Sequence, residues 1–278
     1  LISPTDPIAV ASILKQSRIP ARLQTIISGE SLFNDGVGIV LFVTLSEIAS
    51  QSDKRFTLGD TALLFLQEVG GGILLGLGFA MLCVMMIRKI DDFQTIMLLT
   101  LSLVMGTSVL ASLLHVSAPL AVVAAGLYVG NQTFASTSYE HKIEDILQRV
   151  WSLLDDILNT ILFVLIGMQL VTMPFLNSYW LTGIAAFVIL IFARMLSIGF
   201  PITFLRHRLK VHYSTVYILT WAGLRGGISV ALALSLPDSE YKEIILSASY
   251  FVVILSILGQ GLTLNEVSNA LIKRNPAA

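Results

Sequence analysis

Charge is scarce in this chain of 278 residues: 13% of it is Asp, Glu, Lys or Arg, and 55% is hydrophobic. An average soluble domain carries about 25% charged residues. So little polar surface excludes a protein that faces water all round and points to an integral membrane protein. The net charge of −1, with no basic tract, excludes the electrostatic footprint of nucleic-acid binding. The single cysteine, Cys83, excludes an internal disulfide and a cysteine metal centre, and reads as apolar filler in a helix. The four histidines, His115, His141, His207 and His212, fall in loops or at segment ends and read as surface groups. Also missing are HExxH, GxSxG and any second membrane carboxylate set beside Asp35 as in an aspartyl dyad. An enzyme is therefore not expected, and no cofactor is implied. The chain opens at Leu1 without an initiator Met or a signal-peptide pattern, and the expectation is that helices precede it in the natural protein.

What the sequence has instead is long apolar runs. A spanning helix needs about 20 mainly apolar residues. Eight such segments are expected, at about 22–49, 58–87, 93–114, 117–133, 150–173, 178–205, 211–236 and 244–270, with a partial one over Leu1–Leu14. The segment 117–133 is short enough to be tilted or re-entrant. The connections, such as SQSDKRF, RKIDD and RHRLKVH, are brief and polar. Alternate loops place twelve Lys and Arg on one side, among them Arg88, Lys89, Arg149, Arg206 and Arg208, and three on the other, Lys54, Arg55 and Lys242. The basic side is the cytoplasmic one, which puts the C-terminus in the cytoplasm of a multi-pass cell-membrane protein.

Arg194 and Arg225 belong to neither side; they lie within apolar segments, as do Glu30 and Asp35 of GESLFNDG, with Glu68 less deep. A charge at membrane depth costs a few kcal/mol and faces the protein interior or an aqueous cavity. Asp35 reads as part of an ion or proton pathway, whereas Glu30, Arg194 and Arg225 read as structural. Ser31 and Asp35 are four apart, so they share a helical face and can turn oxygens toward one hard cation. Glu30 and Asn34 point elsewhere: Glu30 can be neutralised by an Arg without blocking Asp35, and Asn34 can brace a neighbouring broken helix. In Thr5-Asp6-Pro7 the proline removes a donor and pushes Asp6 out of helical geometry. Ala222–Gly227 (AGLRGG) sets three glycines around a membrane-depth Arg and is a second expected break. Unwound backbone at that depth belongs where it lines a cavity, as in the discontinuous helices of secondary transporters. Among the remaining features, Gly70, Gly71, Gly72, Gly76 and Gly78 read as helix-packing residues. Asp155 and Asp156 read as carboxylates at the positive start of the helix 150–173, and Asn159 as a polar group lining the core.

TDPIAVASIL, GESLFNDG, the FAR of Phe192–Arg194 and WAGLRGGISVALALSLP together resemble the monovalent cation:proton antiporters of the NhaP type, relatives of animal sodium/proton exchangers. The resemblance runs over essentially the whole chain. It implies an all-α polytopic antiporter fold of the NhaA/NhaP kind, with inverted repeats, two crossed broken helices, a dimerisation domain and a mobile core. The whole of 1–278 would be one transmembrane antiporter domain lacking the family's N-terminal helices, which would bring further site and dimer-interface residues. By the same resemblance Asp35 binds cation or proton, and Ser31, Asp6 and the Thr5 carbonyl are the other cation ligands. Asn34 before Asp35 implies electroneutral exchange, Glu30 pairs with Arg194, and Arg225 marks the second broken helix. The implied cargo is Na⁺ (with K⁺ or Li⁺ as alternatives) against H⁺, in a homodimer within the lipid bilayer. A cation channel using the same mid-membrane carboxylate is the rival from another class.

Overall fold

The computed structural model of the protein describes residues 1–6, 10, 21–50, 58–90, 92–133, 140–172, 176–209 and 213–274. All regular structure among them is helical: α1 (Ala21–Ser50), α2 (Leu58–Ile87), α3 (Phe93–Leu113), α4 (Ala118–Thr133), α5 (Glu140–Thr172), α6 (Leu176–Leu209), α7 (Tyr213–Trp221), α8 (Gly227–Leu234), α9 (Lys242–Leu255), a π-helical turn over Ser256–Gly261, and α10 (Leu262–Arg274). Helices satisfy their backbone groups within one segment, which lipid surroundings demand.

Among the described residues six helical stretches are long and apolar enough to cross a membrane: Leu23–Ser46, Thr61–Ile87, Phe93–Leu113, Ile146–Val171, Tyr179–Phe204 and Lys242–Leu271. Two of the eight expected segments depart from that form. The segment 117–133 is the 16-residue α4, short of the usual span. The segment 211–236 is split into α7 and α8, of nine and eight residues. Two further readings need correction. The helix expected at 150–173 starts at Glu140, so Asp155 and Asp156 lie well inside α5 and not at its positive end; the polar run before 150 continues the helix because nothing in it breaks one. The segment 244–270 is no uniform α-helix, since it carries the π turn.

The chain forms two compact units, one of Leu1–Asp35 with Ile161–Ala278 and one of Gly36–Thr160. Both boundaries fall inside helices, α1 and α5.

In the unit Gly36–Thr160, α2 packs on α4 through small residues. A Cβ on Gly72 would meet the Ser117 carbonyl oxygen at 2.7 Å, and one on Gly76 would overlap the Ala121 carbonyl. Ala80, one further turn along, is fully buried. Gly71 meets the Val116 side chain, but Gly70 and Gly78 face open space, so the packing role holds for three of the five glycines. Cys83 lies buried in the adjoining apolar cluster with Val84, Ile87, Ile96 and Leu103, as filler. Gly76→Ala is expected to destabilise this unit by about 1–3 kcal/mol, because a carbonyl on a packed backbone cannot step aside. Gly78→Ala is expected to leave the melting temperature in detergent unchanged or slightly raised. Equal melting temperatures for the two variants would contradict the close approach.

Helix α3 is started by Asp92, whose carboxylate accepts from the Thr95 amide at 2.8 Å and the Thr95 hydroxyl at 2.6 Å. These bonds hold the Asp92 carboxyl below the usual carboxylate range. Its stabilising contribution is therefore present above the ordinary Asp pKa and is lost as pH falls through the lowered one. Asp92→Ala is expected to lower the melting temperature at neutral pH, with the difference from wild type vanishing in strong acid. A pH-independent difference would show that the cap contributes nothing through its charge.

In the other unit two apolar clusters flank the break between α7 and α8. Val10, Leu23, Ile27, Ile218, Leu219, Ala222, Leu224 and Leu264 gather on one side, and Val230, Ala233, Leu246, Tyr250 and Val253 on the other. Burial of these side chains fixes both half-helices, so the unwound residues between them are held from each end.

Candidate cation site

The site is built from three pieces of the unit Leu1–Asp35 with Ile161–Ala278: one face of α1, the non-helical residues Leu1–Asp6, and the break at Ala222–Gly226. Helix α1 supplies Glu30, Ser31, Asn34 and Asp35. Asp35 Oδ1 accepts the Thr5 amide at 2.7 Å, and the Thr5 and Ser31 hydroxyls are 2.8 Å apart. Thr5 and Ser31 are each 1% exposed, so this pair is shut off from solvent, while Asp35 is half-buried. Spacing explains the convergence: Ser31 and Asp35, one turn apart, both reach the same residue of the extended segment. Asn34 grips that segment one step away, accepting from the Ser3 hydroxyl at 2.8 Å and donating to the Ser3 carbonyl at 2.6 Å.

Asp6 is buried, and its amide donates to the Leu224 carbonyl at 2.8 Å. The two unwound segments thus bind each other directly. Arg225 adds to this: its Nη1 donates to the Ser3 carbonyl, and to the Pro4 carbonyl at 3.0 Å. A guanidinium placed on orphan carbonyls supplies donors that a helix would otherwise have provided. Two glycines of AGLRGG are explained by close approach. A Cβ on Gly226 would lie 2.5 Å from Asp6 Oδ2, and one on Gly223 would run into the Arg194 guanidinium. Pro7 of the Thr5-Asp6-Pro7 motif lies outside the described residues.

Glu30 and Arg194 form a two-pronged ion pair, Nη1 to Oε1 at 3.1 Å and Nη2 to Oε2 at 2.6 Å. Arg194 Nε also donates to the Leu219 carbonyl at 3.2 Å, near the end of α7. The pair ties α1 to α6 and α7, and it uses Glu30 without touching Asp35, which is five residues on. Glu68 falls in the other unit. There it accepts from the Thr44 hydroxyl at 3.3 Å and lines a cavity of about 260 Å³ with Ser112, His115 and Ser117. Among the described residues no three His, Cys, Asp or Glu side chains gather as a metal cluster. The oxygens here are of the kind hard cations take: carboxylate, hydroxyl and backbone carbonyl.

Sequence reasoning missed three residues. Ser3 carries the grip of Asn34, and only its place before Pro4 could have drawn notice. Ser256 and Gln260 sit in the π turn; two polar residues four apart in an apolar segment were a signal that went unread.

The family described as sodium/hydrogen exchanger, transmembrane, matches residues 1–270. A Na(+)/H(+) antiporter NhaP of Pseudomonas aeruginosa is 45% identical over 96% of this chain and 63% of its own length. A Na(+)/H(+) antiporter NhaH of Halobacillus dabanensis is 31% identical over 96% of this chain and 66% of its own. The chain thus spans just under two thirds of these relatives. The solved structure of the sodium proton antiporter MjNhaP1 from Methanocaldococcus jannaschii superposes with a TM-score of 0.73 at 20% identity, over 96% of this chain and 68% of that one, and shares the fold.

Proposed function

This chain belongs to the transmembrane sodium/hydrogen exchanger family, and we propose that its protein exchanges a monovalent cation for H⁺ across a cell membrane. The observation that carries the reading is the Asp35 carboxylate, bonded to the Thr5 amide at 2.7 Å beside the Thr5–Ser31 hydroxyl pair. A cation is held by Asp35, Asp6, Ser31 and the Thr5 carbonyl, with oxygen donors replacing its water shell. A proton takes Asp35 alone. The site holds one or the other, and that exclusion couples the two fluxes. Arg225, on the Ser3 and Pro4 carbonyls, keeps the unwound segment in place at either occupancy. Glu30 and Arg194 brace the frame. Asn34 adds no second titrating carboxylate, which fits one cation for one proton.

Na⁺ is the cargo we assign first, supported by the names of the relatives, with K⁺ or Li⁺ served by the same ligands. The protein is a transporter and not an enzyme, works as one transport domain, assembles as a homodimer and leaves its C-terminus in the cytoplasm. The test is exchange in proteoliposomes of the full-length protein, following internal pH after an inward Na⁺ gradient, with the voltage set by valinomycin and K⁺. Na⁺-driven pH change of equal rate at every imposed voltage supports electroneutral exchange. Voltage-dependent flux without coupled proton movement would favour the channel.

A further inference from the structure

The terminal helix touches the site's frame at a place the exchange mechanism leaves unused. Helix α7 stops at Trp221, so the Arg225 amide has no helical acceptor, and the Thr220 carbonyl takes only a long backbone bond of 3.4 Å from the Gly223 amide. The π turn Ser256–Gly261 serves both. Ser256 Oγ accepts the Arg225 amide at 2.9 Å and donates to Gln260 Oε1 at 2.7 Å. Gln260 Nε2 reaches the Thr220 carbonyl in a long contact of 3.5 Å. Beside them the Trp221 indole donates to the Thr263 hydroxyl at 2.9 Å. Ser256 is 0% exposed and Gln260 1%, so no water competes for these bonds. A π turn widens the helix by a residue and re-aims its side chains, a distortion often kept where function needs it.

We infer that Ser256 and Gln260 are positioning residues for cation binding: they set the break at Ala222–Gly226 against Ser3–Asp6 and so fix the ligand geometry at Thr5 and Asp6. The inference rests on the exchange reading above. The path is short and continuous. Ser256 holds the Arg225 amide; the Arg225 side chain holds the Ser3 and Pro4 carbonyls; the neighbouring Leu224 carbonyl holds the Asp6 amide; and Thr5, between them, holds Asp35. Loss of the Ser256 hydroxyl leaves a buried amide unpaired, and the break relaxes where the ligands hang from it.

The test is Na⁺-dependent exchange by the full-length protein in proteoliposomes, with apparent KM and maximal rate measured separately. Ser256→Ala is expected to raise the apparent KM for Na⁺ about tenfold, the equivalent of one lost buried hydrogen bond, with little change in maximal rate. Ser256→Thr, which keeps the hydroxyl, restores the KM. Gln260→Met raises it by less, and the double substitution Ser256→Ala with Gln260→Met is no worse than Ser256→Ala alone, because the two residues act in series. A lower melting temperature at unchanged KM would make the pair a structural staple and overturn the inference. Should Ser256→Ala fail to fold, Gln260→Met decides: a raised KM supports the inference and a wild-type KM overturns it. Asp35→Asn in the same assay separates the two readings. If it still exchanges, the exchange mechanism fails; if it is inactive while Ser256→Ala keeps a wild-type KM, only the present inference does.

Discussion

Asp35→Asn is expected to reduce cation-coupled proton movement to background, a loss of at least about a hundredfold. An amide at residue 35 can still accept the Thr5 amide bond, which Asp35 Oδ1 now takes at 2.7 Å, so the fold and the grip on the extended segment survive. What disappears is the negative charge, and with it both cargoes. A neutral oxygen gives a cation far less attraction in a water-poor site, on the order of 3 kcal/mol, which is about a hundredfold. An amide also takes up no proton in the physiological range. Asp35→Glu keeps charge and proton chemistry but moves the carboxylate by one methylene relative to Ser31 and Thr5, so it retains partial exchange with a raised cation KM. Proteoliposome flux with matched protein density checks both variants, and wild-type flux in Asp35→Asn would make the carboxylate structural.

Glu30 and Arg194 are expected to fail differently, through folding and not through ion binding. Arg194 is 7% exposed at its side chain and Glu30 36%, so the pair is buried at one end and partly open at the other. Glu30→Gln leaves a buried guanidinium facing a neutral amide, which can accept one of its two bonds but supplies no opposite charge. Arg194→Met leaves a carboxylate unpaired and a void over Gly223. A fully buried broken pair costs about 3–5 kcal/mol, and the open end of this one lowers the expected loss to about 2–3 kcal/mol. The double substitution Glu30→Gln with Arg194→Met recovers at least half of either loss, because no unpaired charge remains. Thermal melting of the detergent-solubilised variants measures this. Strictly additive losses would show that the two residues do not act as a pair.

Much of the helical frame was legible in the sequence, because twenty-residue apolar runs have few other uses. The break expected within Ala222–Gly227 was legible for the same reason in reverse: three glycines and an arginine are poor company in a lipid-facing helix. The meeting of Asp35, Ser31 and Thr5 could be anticipated only in part. Helical spacing put Ser31 and Asp35 on one face, but which backbone lies opposite depends on long-range packing, and the family resemblance supplied it. Asp155 and Asp156 misled because charged residues before 150 looked like a loop, whereas α5 runs unbroken from Glu140. The π turn was invisible to periodicity: a single extra residue per turn leaves an apolar segment looking like any other, and only the pairing of Ser256 with Gln260 marks it. The bracing role of Asn34 was legible from its spacing to Asp35, but that Ser3 is the residue it grips needed three dimensions.

The central claim is that one cation and one proton exclude each other at Asp35. Its most direct test is tracer Na⁺ exchange by the full-length protein in proteoliposomes at equal internal and external pH, repeated across the physiological range. The account predicts an apparent KM for Na⁺ that rises as pH falls, approaching about tenfold per pH unit once protons fill the site, while the maximal rate at saturating Na⁺ stays constant. A KM independent of pH, with the maximal rate alone changing, would mean that cation and proton bind at separate places and would contradict it.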